Sequence, residues 1–179
     1  MNDKPNDILL LAGKLLTIIM QFACVIGAAV IAGLALLAIF DPGWITSTGY
    51  ESSLGNAEPI IGLPIFFLLI AIFLGSGFLF FRKLKEIIDT VGEGNPFDLE
   101  NASRLNTMAW LLLVMQFLVM PATLLGTFLA PWINAREDMS MTIEMGPDVE
   151  GILMVIILFI LARVFKHGAA MREDLEGTV

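Results

Sequence analysis

The chain has 179 residues, is 57% hydrophobic and carries a net charge of −8; its mean hydropathy is +0.83. Soluble domains average nearer half apolar, so the composition points to a membrane protein and away from one that binds nucleic acid directly through a basic surface. A single cysteine, Cys24, leaves no disulfide possible within the chain.

The opening segment MNDKPND is not the cationic start of a signal peptide, and the apolar run after it is too long for one, so no cleaved leader is expected. Residues 15–40 hold no charged residue and suffice for a helix crossing about 30 Å of hydrocarbon. This first predicted span ends at Asp41, Pro42 and Gly43, which break a helix. An outer loop over residues 41–59 follows, rich in Ser, Thr, Gly and acids. Span two covers residues 60–81, with Pro59 and Pro64 near its start, where a missing N–H costs least. Its helix is expected to run on beyond the membrane. Leu84, Ile87, Ile88 and Val91 recur at i, i+3, i+4 and i+7, and Arg82–Glu86 and Lys85–Asp89 have the i,i+4 spacing of ion pairs. Gly92 is the expected left-handed residue after the helix end.

The stretch VGEGNPFDLENASRL, residues 91–105, is the densest in Gly, Pro and charge. Pro96 keeps Asn95 extended. Asp98 is the expected cap of a returning helix, with Glu100 in its first turn. Leu99, Ala102 and Leu105 are expected on its inner face. Residues 82–107 thus form a helical hairpin reaching roughly 15 Å past the membrane, at about 1.5 Å per residue.

Span three covers residues 108–132, with a kink expected at Pro121. In the second outer loop, residues 133–150, MSMTIEM alternates Met139, Met141, Ile143 and Met145 with Ser140, Thr142 and Glu144, the pattern of a short strand. Span four covers residues 151–171, its apolar run prolonged by Arg163 and Lys166 reaching back to the headgroups. Small residues four apart (Ala23 and Gly27, Ala29 and Gly33, Ala71 and Gly75, Ala122 and Gly126) allow close helix contact within the chain or with a second copy. The expected fold is an all-α integral membrane protein. It is a four-transmembrane-helix bundle forming one domain over residues 1–179, with the hairpin and a small extracytoplasmic β element.

Lysine and arginine orient the spans. Lys4, Lys14, Arg82, Lys83, Lys85, Arg104, Arg163, Lys166 and Arg172 fall on one side of a four-span topology, and only Arg136 on the other. Both termini and the hairpin are therefore expected in the cytoplasm. The outer loops carry Asp41, Glu51, Glu58, Glu137, Asp138, Glu144, Asp148 and Glu150; eight acids less one arginine leave there seven of the eight net negative charges.

Two motifs resemble a known family. GNPFDLENASRLNTMAWLLL, residues 94–113, is similar to the motif of the bacterial membrane proteins grouped as domain of unknown function 2975, carried here by Gly94, Pro96, Phe97, Glu100, Asn101, Arg104, Leu105 and Trp110. The tail ARVFKHGAAMREDLEGTV resembles the family's ending through Phe165, Gly168, Thr178 and Val179, while Arg163 and Met171 stand where an acid and a leucine are commoner. The four-span layout also fits. The resemblance implies a bacterial inner membrane and no biochemical activity. It implies too that the gene neighbours one for a small helix-turn-helix repressor of the Cro type.

Few residues suit chemistry. The first three spans carry no ionisable side chain except the thiol of Cys24, and Gln21 and Gln116, their strongest polar groups, suit interhelical hydrogen bonds better than a transport path. Arg163 reads as a snorkelling end residue. His167, the only histidine, has no nucleophile beside it, and Cys24 suits apolar packing. There is no Gly-Lys-Ser/Thr phosphate loop and no metal-spaced His/Cys set. GEGNPF lacks the lysine and strand of a nucleotide loop, and the alternation explains Met139, Met141 and Met145 as well as Cu(I) binding would. No enzyme, cofactor or metal is expected.

The hairpin tip is the strongest candidate. A turn needs only about four residues, and this one adds Asn95, Pro96 and Phe97, an apolar anchor beside donors and acceptors. The expected partner-docking residues are Asn95, Pro96, Phe97, Glu100, Asn101, Arg104, Gly168 and Thr178. The expected function is a non-enzymatic membrane regulator or sensor that holds a cytoplasmic helix-turn-helix transcription factor. It contacts lipid and is open to homo-oligomerisation. The alternative is a small transporter or immunity-type protein that shields the membrane.

Overall fold

A computed structural model describes residues 8–41, 43, 57–134 and 149–176. Nearly all of them are helical, in α1 (Ile8–Phe40), α2 (Ala57–Gly92), α3 (Leu99–Asn134) and α4 (Val149–Glu176). No strand occurs among the described residues. The strand expected over residues 139–145 lies outside them.

Helix is what such sequences must form where water is scarce, because it satisfies every backbone N–H and C=O within the segment. α1 closes after Phe40, where the Asp41 N–H donates to the Leu37 carbonyl at 2.9 Å. α2 continues through Pro64, and α3 through Pro121 and Pro131. Among the described residues, three helices are long and apolar enough to cross a membrane: α1, α2 from Ile60 onward, and α3. Large apolar side chains stand outward along them, including Phe22, Ile26, Ile39, Phe117, Met120 and Phe128. A water-soluble monomer rarely exposes that much contiguous apolar surface.

The chain divides into two compact units. One comprises Val25–Gly75 and Met115–Pro147. Its core is Ala38, Leu63, Phe67, Leu129 and Trp132, with Ile31, Leu34, Leu125 and Ile133 packed against it. Gly62 brings α2 close to α3, since a Cβ there would lie 2.9 Å from Leu129 Cδ2. Gly27 receives Leu74 from α2, 3.3 Å from where its Cβ would stand. Gly33 and Gly75 have open space around them, so those two small residues serve no close approach among the described residues.

The other unit comprises Met1–Cys24, Ser76–Val114 and Asp148–Val179. Its core is Leu105, Met108, Ala109, Leu158 and Ala162, with Phe80, Leu84, Ile87, Phe159 and Phe165 packed against it. Ile88 turns instead toward α1, its Cδ1 lying 3.3 Å from where a Gly13 Cβ would be. Gln21 Nε2 donates to the Phe81 carbonyl at 3.5 Å, an interhelical hydrogen bond at its long limit that here joins α1 to α2. Trp110 meets Phe159 edge to face, with ring centroids 5.6 Å apart.

Candidate functional site

The hairpin is built from local rules. α2 runs through Arg82 without interruption and holds helical geometry as far as Gly92. Gly94, not Gly92, is the left-handed residue, with φ at +81°. The Glu93 N–H still reaches the Asp89 carbonyl at 3.1 Å, which carries the helix past the first glycine to the second. The Asn95 N–H then donates to the Thr90 carbonyl and the Gly94 N–H to the Val91 carbonyl, each at 3.0 Å. This paired closure needs positive φ at the residue Gly94 occupies. Four residues later Asp98 caps α3, its Oδ1 accepting from the Glu100 N–H at 3.0 Å.

The inner face of α3 differs from the expected one. Leu99 is 59% exposed. Asn101, Ala102, Leu105, Met108 and Ala109 are buried in its place. They follow the helical repeat around an axis set by Asn101, and Leu99 falls off that stripe.

Asn101 is fully buried, at 0% exposure. Its amide uses both hydrogens: Nδ2 donates to Thr90 Oγ1 at 2.8 Å and to the Pro96 carbonyl at 3.0 Å. Its Oδ1 accepts from Arg104 Nη1 at 2.8 Å. Thr90 Oγ1 passes its own hydrogen to the Ile87 carbonyl at 2.8 Å. One side chain therefore ties the end of α2, the loop and the first turn of α3, and leaves no buried polar atom of its own unmatched.

Arg104 extends this network outward. Its Nη2 lies 2.7 Å from Glu100 Oε2 and its Nε 3.2 Å from Glu86 Oε2. Glu86 also meets Lys83 at 2.9 Å and Arg82 at 3.3 Å. The hydrogen bond from Lys83, with the positive charges of Lys83, Arg104 and Arg82, outweighs partial burial and holds the Glu86 carboxyl below its ordinary range. Arg82–Glu86 is the expected i,i+4 pair. Asp89 pairs with Lys14 of α1 at 2.7 Å instead of with Lys85.

α4 completes the site. The Phe97 ring lies against Phe165, with centroids 5.5 Å apart. It also covers Gly168, where a Cβ would stand 2.9 Å from Phe97 Cδ1. Arg172 donates through Nη1 to Asn95 Oδ1. Seven of the eight expected docking residues thus form one clasp: Asn95, Pro96, Phe97, Glu100, Asn101, Arg104 and Gly168. Thr178 lies outside the described residues. Asn101 and Gly168 hold the clasp from within, whereas Phe97 remains 45% exposed.

Thr90, Glu86 and Arg172 belong to the site and are not among the expected docking residues. Gly168 was the available signal. A glycine inside a helix costs about 1 kcal/mol relative to alanine and persists where something packs closely over it.

Long apolar helices with large side chains turned outward define a multi-pass membrane protein in contact with lipid. Within that class the chain belongs to the family described as protein of unknown function (DUF2975), which matches residues 49–179. The match takes in α2, α3 and α4, and with them both halves of the clasp. No curated protein and no solved structure matches the chain.

Proposed function

We propose that this is a non-enzymatic regulator of the bacterial inner membrane, with four spans and both termini in the cytoplasm. Its hairpin tip and the end of α4 together hold or release a cytoplasmic transcription factor of the helix-turn-helix type. The observation that carries the reading is the clasp itself. Asn95 and Phe97 are held by α4, and the same loop keeps an aromatic face and a carboxylate, Glu100, open to solvent. Fixed apolar anchors beside polar groups are what protein partners dock on. The nine basic residues on the clasp side support its cytoplasmic placement.

α4 also supplies a route for a signal. It starts next to an acidic outer loop and ends on the clasp. A shift of α4 by one helical turn, about 5.4 Å, withdraws Gly168 from Phe97 and Arg172 from Asn95. An event at the outer loop then becomes a change in the exposed surface of the tip.

Two measurements test the reading. In a Cys24→Ser background, Asn95→Cys in intact cells is expected to stay dark to a thiol probe that cannot cross lipid, and Ser52→Cys to label. The reverse pattern rejects the topology. The wild type is expected to co-purify with a helix-turn-helix protein encoded beside it, and the Phe97→Ala/Glu100→Ala variant to lose most of it. Equal recovery with both, or none with either, ends the docking reading.

A further inference from the structure

Some basic residues of the chain are paired with acids and others are not. Lys14, Arg82, Lys83 and Arg104 are each bound to a carboxylate within 3.3 Å. Arg163 and Lys166, one helical turn apart on α4, have no acidic partner among the described residues, and His167 beside them is likewise unpaired. All three are exposed. A cation at the border of a long apolar segment that meets no protein acid is available to an anion from elsewhere.

The surface around Arg163 and His167 narrows the choice. Both line a groove whose floor is apolar. Ile160, Val164 and Met171 form that floor, with the Phe97 ring over Gly168 among its walls. Positions 160, 163, 164, 167, 168 and 171 repeat as i, i+3, i+4, i+7, i+8 and i+11, one continuous face of α4. Ile160 and Val164 are more than half exposed. The face therefore sets the Arg163 guanidinium and the His167 ring directly beside exposed hydrocarbon, as a phospholipid sets its phosphate beside its acyl chains.

We propose that this groove binds an anionic phospholipid of the cytoplasmic leaflet. The phosphate lies between the Arg163 guanidinium and a ring N–H of His167, which imidazole offers in either charge state. An acyl chain runs over Val164 and Ile160. Basic pockets at the cytoplasmic ends of membrane helices recognise such headgroups in this way. The inference rests on α4 being a membrane helix, as in the reading above. It assigns the α4 face to lipid and leaves the loop from Asn95 to Glu100 to a protein partner. Phe97 sits on the boundary, so an occupied groove also fixes the ring that the partner meets.

Native mass spectrometry of the full chain from non-ionic micelles tests this, with phosphatidylglycerol and phosphatidylcholine of matched acyl chains. Wild type is expected to retain phosphatidylglycerol about fivefold or more over phosphatidylcholine, the preference a single cation near a lipid surface confers. Arg163→Ala/His167→Ala is expected to bind the two equally, and Lys85→Ala, a cation outside the groove, to behave as wild type. Ile160→Ser/Val164→Ser is expected to lower retention of both lipids. Excess inorganic phosphate is expected to leave the bound lipid in place.

Equal retention by wild type, or a preference that survives Arg163→Ala/His167→Ala, overturns the proposal. So does displacement by inorganic phosphate, which marks a site for the free ion, or a dimer that excludes lipid from the groove, which marks a second copy as the occupant. Binding in micelles is indifferent to which side of a membrane α4 ends on. A failed thiol-labelling pattern and a failed lipid preference are therefore separate results.

Discussion

Leu63, Phe67, Leu129 and Trp132 in one unit, and Asn101, Thr90 and Arg104 in the other, secure the helices by different physics. In the first group a glycine on α2 admits a leucine from α3, and the cluster around them is apolar. The second is joined by donors and acceptors counted out one for one, with Lys14, Arg82, Lys83, Glu86, Asp89 and Glu100 around its edge. Between helices already in lipid there is little hydrophobic drive, so close fit must carry the association. Near water a polar network survives only if complete, and a complete one fixes register more sharply than apolar contact does. The fitted unit is suited to standing firm. The networked unit is suited to specifying one arrangement that a small shift would break.

Volume changes should separate the two units most strongly. Leu129→Ala is expected to cost about 3 kcal/mol, measured by denaturant unfolding in micelles, with a cost independent of pH. Gly62→Ala alone should also destabilise, but the new methyl occupies the space Leu129 gives up. The double variant should therefore fall short of the sum by about 1 kcal/mol. Strict additivity would mean that the two residues do not meet as described.

Single-atom changes should do comparable harm only in the networked unit. Asn101→Ala leaves Thr90, the Pro96 carbonyl and Arg104 short of a partner, at an expected cost of about 2–3 kcal/mol. Asn101→Asp keeps the shape but offers Pro96 an oxygen in place of a hydrogen, so it should not rescue.

A smaller effect follows from Glu86. Its carboxyl titrates lower in the folded chain than in the unfolded one. The unfolded state therefore takes up protons first as pH falls. The stabilisation is fully present above the ordinary carboxylate range and is lost as pH drops through the depressed folded value. Unfolding midpoints should decline over that acid range in wild type, decline less in Glu86→Gln, and decline as in wild type for Leu129→Ala.

The smallest contrast is between two neighbouring glycines. Gly94→Ala forces a side chain into positive φ and should cost about 1 kcal/mol. Gly92→Ala places one in an open helical position and should stabilise by about 0.5–1 kcal/mol. If the signs were reversed, the helix would end where the sequence alone suggested.

That pair shows what sequence could and could not disclose. The all-helical class, three long apolar segments and the continuation of α2 past Arg82 were legible, because spacing and composition are local. The Asp98 cap and the Arg82–Glu86 pair were legible for the same reason. Gly92 and Gly94 both suit a helix end, and only the hydrogen bonds of Glu93, Gly94 and Asn95 decide between them. Leu99 looked like core because it is apolar, whereas burial follows the stripe that Asn101 begins. Asp89 had Lys85 at the right spacing and chose Lys14 on another helix. Phe97 and Gly168 stood in two separate motifs, and nothing local says that one is the seat of the other. The structure brings seven of the expected residues together, while the division between those that build the clasp and those that face outward required three dimensions.

Arg172 and Asn95 are 77 positions apart, and that separation is also an interval in time. At about 5–20 residues per second, a ribosome needs roughly four to fifteen seconds after making the loop to deliver the arginine that holds it. During that wait the Phe97 ring has no seat on α4 and Asn95 no donor from it, while the Asn101 network that joins α2 to α3 needs nothing further along the chain.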